Sequence, residues 1–225
     1  MTREPTALHR AAELIVSGIR EGRYAPGQRL IEADLIVELD VSRSSVREAL
    51  RRLEAQGLVE MVPHRGARVR RITADDVREI FEVRAAIESE AARLAALRID
   101  RPGHRARLEE RVTANRAAAL QPAVIEYLDE NTRFHEALLR LSSNGHLAEL
   151  LDAVRLQTVR FILPPYLRSP VAAVRRSLAE HERIAECILT GDADGAARAM
   201  RAHIEASAEV ALSALRATAP TLELR

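Results

Sequence analysis

The chain has 225 residues, enough for two domains of ordinary size or one large one. Its hydrophobic content of 47% and net charge of +1 are those of a folded globular protein and exclude a disordered one. No run of about 18 apolar residues is present, and the N-terminus carries charges in place of a signal sequence, so we expect no membrane association. Cys187 is the only cysteine, which excludes an intrachain disulfide and favours a cytoplasmic location.

The net charge is small, but arginine is distributed unevenly along the chain. All 34 basic residues are arginine, because the sequence contains no lysine. Residues 1–71 contain 13 Arg and 10 acidic residues, whereas residues 72–225 contain 21 and 23. The excess is concentrated in residues 43–71, with 8 Arg against 3 acidic residues. A basic first part and a nearly neutral remainder indicate a polyanion-binding module joined to a second domain.

The spacing of apolar residues in the first 41 positions predicts two helices separated by a turn. The first helix stops near Gly22, and Pro26-Gly27 forms a turn before a short strand at residues 29–31. Residues 32–39 predict the second helix, and Asp40-Val41 turns the chain into the next element. The apolar face of the first helix consists of Leu8, Ala12, Ile15 and Ile19.

The stretch 41–57 predicts a third helix, capped by Ser42 and stopped at Gly57. One face is apolar, and a different face carries an arginine at every fourth position. These arginines are Arg43, Arg47 and Arg51. Alone, such a row favours an ordinary solvated surface helix. After a short helix and a tight turn, it favours insertion into a DNA major groove.

Two strands, at residues 58–62 and 67–71, follow around a turn that contains Arg65 and Gly66. The arginines of this hairpin can point outward, toward the phosphate backbone or a neighbouring groove. Three helices followed by a basic hairpin predict a winged helix-turn-helix.

Five segments of this part resemble the DNA-binding half of GntR-family transcription regulators. They are Tyr24–Leu30, Val41–Arg43, Val46–Leu53, Gly57–Val59 and Pro63–Val69. The resemblance implies DNA contacts from Arg43, Ser44, Ser45 and Arg47, with the Gly66 turn entering the minor groove. Arg51 and Arg65 complete the predicted DNA-binding set.

Two positions depart from the pattern of this family. Ser45 stands where many relatives carry proline, and Ala33 where some relatives use a DNA-contacting arginine. Both departures affect which operator sequence the protein would recognise more than whether it binds DNA as a regulator.

From Thr73 onward the sequence predicts helices throughout and no strands. We therefore expect a mainly α fold with two domains: a winged helix-turn-helix over 1–71 and an all-α bundle of about six helices over 72–225. The predicted helices cover residues 73–97, 102–120, 122–142, 147–162, 170–189 and 193–217.

Four residues on three of these helices form a candidate metal site. Asn131 and His135 are four positions apart and therefore share a helix face. His181 and His203 lie on two later helices among apolar neighbours. Three imidazoles and an amide oxygen could converge on one divalent metal in the bundle core. Alternatively, each histidine is buried separately and satisfied by hydrogen bonds.

This second part resembles the FadR C-terminal-type (FCD) subgroup, in its shorter six-helix form. The segments that carry the resemblance are Glu82–Arg84, Phe134–Leu138, Ser143-Asn144, Glu180-His181, Gly191-Asp192 and Met200–His203. It implies that Asn131, His135, His181 and His203 bind zinc, nickel, manganese or iron. The usual first ligand in this subgroup is aspartate. The neutral Asn131 should therefore bind metal less tightly and leave more positive charge for an anion.

Arg84 lies in the apolar stripe of the first bundle helix, where an unpaired charge is costly. Its simplest partner is Glu88, one turn later. The FCD resemblance also makes Arg84 a candidate for binding the carboxylate of an effector, and both interpretations stay open.

These features together predict a homodimeric, metabolite-responsive repressor that binds double-stranded operator DNA, a divalent metal and a small organic acid. The alternative is a mononuclear metalloenzyme of helical-bundle type. Against it, the sequence has no His-Glu-x-x-His motif, Gly-rich phosphate loop or Gly-x-Ser-x-Gly elbow. A third possibility is a structural DNA-binding protein without an effector.

Overall fold

The structure is a computed structural model that describes residues 7–63, 65–120, 124–151, 154 and 171–218. Among these residues, those up to Thr73 pack into one compact unit and those from Ala74 onward into a second. The mainly α fold class is confirmed, with one small sheet confined to the first unit.

The first unit contains three helices and a three-stranded antiparallel sheet in the order β1-β3-β2. Its elements are α1 (Ala7–Arg20), β1 (Arg29–Leu30), α2 (Glu32–Leu39), α3 (Arg43–Ala55), β2 (Val59–Val62) and β3 (Gly66–Val69). The prediction placed the last strand at 67–71, but it ends at Val69, which pairs with Val59, the first residue of β2. A strand stops where its partners stop, so Arg70 and Arg71 lie beyond the sheet.

The core of this unit explains the orientation of α3. Val46, Ala49, Leu50 and Leu53 are buried and pack with the apolar faces of α1 and the sheet. The Ser42 hydroxyl accepts a hydrogen bond of 3.1 Å from the backbone N–H of Ser45, as predicted for an N-cap. With the apolar face fixed inward, the arginine face of the helix points to solvent.

In its described residues, the second unit contains helices joined by turns. Its helices are α4 (Ala74–Leu97), α5 (His104–Ala119), α6 (Val124–Leu141), α7 (Val171–Leu189) and α8 (Ala193–Thr218). Residues 145–151 are also helical, while most of the helix predicted over 147–162 lies outside the described residues.

The bundle brings distant helices side by side. α8 packs against α4 and α7, and α5 packs against α6 and α7. Asp192 accepts a hydrogen bond of 2.8 Å from the backbone N–H of Gly195 and so caps α8, as the sequence predicted. Within the ranges given above, no helix has both the length and the apolarity needed to cross a membrane.

Candidate metal centre and nucleic-acid interface

Three histidines from three helices meet in the interior of the second unit. His135 on α6, His181 on α7 and His203 on α8 are each 1–2% exposed. The Nε2 atom of His203 lies 3.2 Å from that of His181 and 3.3 Å from that of His135. These positions suit three ligands of one metal ion.

The apolar faces of the helices place the rings there. His135 lies beside the fully buried Phe134, and His181 is one turn from Ala185 on a buried face. The ring of Phe134 stacks on that of His181, with centroids 4.2 Å apart and planes inclined by 19°. Packing therefore fixes the orientation of His181 before any ion binds.

Each imidazole meets a polar partner at its outer nitrogen, Nδ1. Glu180 Oε2 lies 2.8 Å from Nδ1 of His203, and Asn115 Oδ1 lies 3.0 Å from Nδ1 of His181. Glu88 Oε2 lies 2.5 Å from Nδ1 of His135, off the line of a regular hydrogen bond. Such outer partners orient histidine ligands and select their tautomer in metal sites.

The protonation of the rings also suits metal binding. Burial lowers the pKa of His135 to about 4, although the nearby Glu88 carboxylate acts in the opposite direction. Burial likewise lowers the pKa of His181 well below its usual range. Both rings are therefore neutral near pH 7. A neutral imidazole with its proton on Nδ1 presents the Nε2 lone pair inward, and a cation between the rings would stabilise these lone pairs.

Asn131, the fourth predicted ligand, lies one helical turn before His135 and is partly buried. The hydrogen bonds described above join the histidines to one another and to Asn115 and Glu180, and Asn131 is not part of them. Asn131 therefore remains a predicted ligand on the appropriate helix face.

Arg84 is buried and makes the predicted pair with Glu88, with 2.8 Å between Arg84 Nε and Glu88 Oε1. Its guanidinium carbon lies 4.8 Å from the centroid of the Phe81 ring. Because Glu88 also contacts His135, one carboxylate links Arg84 to the histidine cluster. The pairing does not by itself exclude contact with an effector, since a guanidinium carries five N–H donors.

Sequence reasoning missed the outer partners of the rings. Asn115 follows the buried Leu108 by seven residues, so its position on the inward face of α5 could have been read from helical periodicity. Glu180 appeared only within the Glu180-His181 motif. Glu88 was assigned to Arg84 alone, because nothing local connects it to His135.

The predicted DNA-binding residues form a solvent-accessible face of the first unit. Arg43, Arg47 and Arg51 are exposed along α3. The Ser44 and Ser45 hydroxyls lie 2.8 Å and 2.9 Å from the Ser42 hydroxyl at the N-terminus of this helix. Hydroxyl and backbone N–H groups at a helix N-terminus suit phosphate contact.

One acidic residue approaches the arginine row. Glu32 Oε1 lies 3.7 Å from Nε of Arg47, and both side chains are substantially exposed. Such a pair contributes little to stability and would not prevent Arg47 from contacting DNA.

The turn between β2 and β3 also has the predicted character. Gly66 has a φ of +79°, and a Cβ atom at this position would meet nothing within 4 Å. Glycine is therefore required by backbone conformation and not by crowding. Arg65 beside it is exposed, and His64 lies outside the described residues.

Comparisons with known proteins agree with both units. Residues 8–69 match the model of bacterial regulatory proteins of the gntR family, and residues 79–206 match the FCD domain. The chain is 32% identical to the uncharacterized HTH-type transcriptional regulator BphR of Paraburkholderia xenovorans, over 85% of this chain and 80% of that protein. It is 27% identical to a probable D-xylose utilization operon transcriptional repressor of Paenarthrobacter nicotinovorans, over 89% and 87%.

Among solved structures, E. coli McbR/YncC has the same fold, with a TM-score of 0.76 and 20% identity. The alignment covers 93% of this chain and 98% of that one. A winged helix-turn-helix followed by a helical unit of this kind defines a DNA-binding transcription regulator. The chain belongs to the GntR family, and its second part is an FCD domain. Members of this family are regulators, so the metalloenzyme alternative is set aside.

Proposed function

We propose that this regulator is a homodimeric repressor whose second unit binds a divalent metal ion and a small carboxylate effector. The observation that carries the proposal is the buried convergence of the three histidines, each of which faces a separate polar partner at Nδ1. In this proposal, residues 1–71 form the DNA-binding domain, and residues 72–225 form the domain for effector binding and dimerisation.

The metal ligands in this proposal are His135, His181, His203 and Asn131. Nitrogen and oxygen donors suit zinc, nickel, manganese or iron. Neutral rings with oriented Nε2 atoms need little rearrangement to bind an ion, which would link three helices that are distant in sequence. An ion with four protein ligands keeps one or two positions for water or a ligand oxygen.

The charge around these ligands determines how strongly the site would attract an anionic effector. With four neutral ligands the ion's charge would not be compensated by its ligands, but the Glu88 and Glu180 carboxylates lie behind two of the rings. These carboxylates compensate the charge of the ion only in part, because each also pairs with an arginine. Glu88 pairs with Arg84, and Glu180 lies 3.5 Å from Nε of Arg176. Imidazole and amide ligands carry no charge when they bind a metal, so an anion at the open position would still be attracted to the ion.

Repression by a dimer is supported by general arguments and by relatives. A single winged helix reads few base pairs, and two-fold pairing on a palindrome doubles the recognised length. Some relatives are named as repressors, among them RspR of Escherichia coli, which is 29% identical over 82% of this chain. Regulators act inside the cell on chromosomal DNA, which is consistent with the expected cytoplasmic location.

The experiment that tests this function is a titration of operator DNA with the effector acid, once a screen of small organic acids has identified it. The wild-type protein should lose DNA affinity by roughly 5–150-fold, which corresponds to a coupling of about 1–3 kcal/mol between the two sites. The His135→Ala protein should keep its DNA affinity and lose the response. If both proteins release DNA at the same acid concentration, the effector does not act through the metal. If no acid in a broad screen changes DNA binding, the regulator acts without such an effector.

A second prediction concerns the amide ligand. Replacing Asn131 with Asp should tighten metal binding, because a carboxylate is charged and is a stronger ligand for a divalent ion. The measurement is a competition between protein and a metal chelator, with Asp129→Asn as the control, since Asp129 is exposed on the same helix. Weaker binding by the Asn131→Asp protein would show that Asn131 does not contact the ion.

A further inference from the structure

We infer that Asn115 is a positioning residue whose amide can support either tautomer of His181 and thereby adjusts how tightly the centre holds its ion. The inference rests on the proposed metal centre. Asn115 lies on α5, which supplies none of the three histidines, and its Oδ1 atom is 3.0 Å from Nδ1 of His181. Both side chains are 1% exposed, so each depends on the other for this hydrogen bond.

The partner of His181 differs in kind from the partners of the other two rings. Glu88 and Glu180 are carboxylates, which only accept hydrogen bonds when ionised. The amide of Asn115 offers an acceptor on one side and a donor on the other. With Oδ1 toward the ring, it accepts from Nδ1–H and leaves Nε2 free to bind metal. After a half-turn of the amide, Nδ2 donates to Nδ1, and Nε2 carries the hydrogen.

The structure places Oδ1 toward the ring, and the second arrangement would add a hydrogen bond within a metal-free cluster. The Nε2 atoms of His181 and His203 are 3.2 Å apart, close enough for a hydrogen bond if one of them carries a hydrogen. Because the Glu180 carboxylate lies at Nδ1 of His203, Nε2 of His203 would accept this hydrogen bond and His181 would donate it. In the other arrangement, two lone pairs face each other without a proton between them.

No net charge changes when His181 passes from one tautomer to the other. One proton leaves Nε2 for water and another joins Nδ1 from water, so the ring is neutral before and after. Metal binding requires the free Nε2, so the free energy of changing tautomer reduces the apparent metal affinity.

Two features allow the amide to turn while the ring stays in place. The Nδ2 atom of Asn115 is buried and has no hydrogen-bond partner in the described part of the chain, so only His181 selects between the two orientations. Phe134 stacks on the ring of His181 and holds its plane. Among the three histidines of the centre, His181 is therefore the adjustable ligand.

The test compares wild type with the Asn115→Asp and Asn115→Leu proteins. Metal-free protein is titrated with Zn²⁺ against a competing chelator at a fixed pH. The aspartate variant accepts only, holds Nδ1–H and should bind Zn²⁺ more tightly than wild type. The leucine variant keeps the branching at Cγ without a polar atom and should bind about 10–100-fold more weakly, as is typical when an outer partner is lost.

Nitrogen NMR of the metal-free proteins supplies a readout that loss of folding would not produce. The hydrogen of His181 should be on Nε2 in wild type and on Nδ1 in the Asn115→Asp protein. Ser142→Ala is the matched control, because the Ser142 hydroxyl is fully buried and bonds within its own turn to Leu139 and Asn144. This control should bind Zn²⁺ as wild type does.

The possible results distinguish the role of Asn115 from the existence of the metal centre. If the aspartate variant binds no more tightly than wild type, or if metal-free wild type already carries Nδ1–H, the role assigned to Asn115 is wrong. Should the leucine variant fail to fold in a thermal melt, the aspartate variant and the NMR measurement decide alone. Failure of wild type to bind Zn²⁺, nickel, manganese or iron would instead refute the metal centre itself.

Discussion

Replacing His181 with alanine should remove most of the bound metal and abolish the stabilisation that the metal provides. The His181 side chain is 1% exposed, and its Nε2 atom lies 3.2 Å from that of His203, so the substitution removes one of the three converging ligands. An ion at one hundred times its dissociation constant stabilises the folded state by about 2.7 kcal/mol. Elemental analysis of the purified protein and thermal melts with and without a chelator measure both effects.

The matched control for this experiment is His146→Ala. His146 lies in the same unit, but its side chain is 92% exposed, and its contact is with Glu149 on its own turn. This variant should retain the metal and the chelator-sensitive melt of wild type. Full metal occupancy in the His181→Ala protein would show that the ion is bound elsewhere.

Replacing Arg47 with alanine should weaken operator binding by about 1–3 kcal/mol if its guanidinium makes a bidentate contact with a base. The operator is obtained by selection from random duplexes, and affinity is measured at fixed salt because phosphate contacts make binding strongly salt-dependent. Arg43→Ala should act in the same direction. Both side chains are exposed, so neither substitution should lower the melting temperature substantially.

Two further variants define what Arg47 contributes. Arg47→Lys keeps the charge but not the planar pair of donors, so it should lose the preference for the selected base while retaining general DNA binding. Arg52→Ala removes one charge from the same helix at a position where Arg52 contacts His9 of α1. It should reduce affinity less than Arg47→Ala. Unchanged operator affinity in both the Arg43→Ala and Arg47→Ala proteins would disprove this assignment of α3.

The GntR winged helix and the helical FCD domain were both predicted correctly from the sequence. Helical periodicity is a local signal, so the bounds of α3 and α7 could be read within a few residues. The exposed arginine face follows from the same pattern, because burying Val46 and Leu53 leaves only the opposite side for Arg43 and Arg47. Helix ends were less certain, since α5 begins at His104 and not at Pro102, after a glycine with a φ of +79°.

What only the tertiary structure decided is which side chains meet. His181 and Asn115 are 66 residues apart, and His135 and His203 are 68 apart, so no local pattern relates them. Helix packing brings them within hydrogen-bond distance, and it also gives Glu88 a second partner in His135. The sequence alone therefore determined the elements and the candidate ligands, because periodicity and residue type act locally. The outer partners of those ligands, and hence the tautomers and charge of the centre, depend on the packing of α4, α5 and α7 around it.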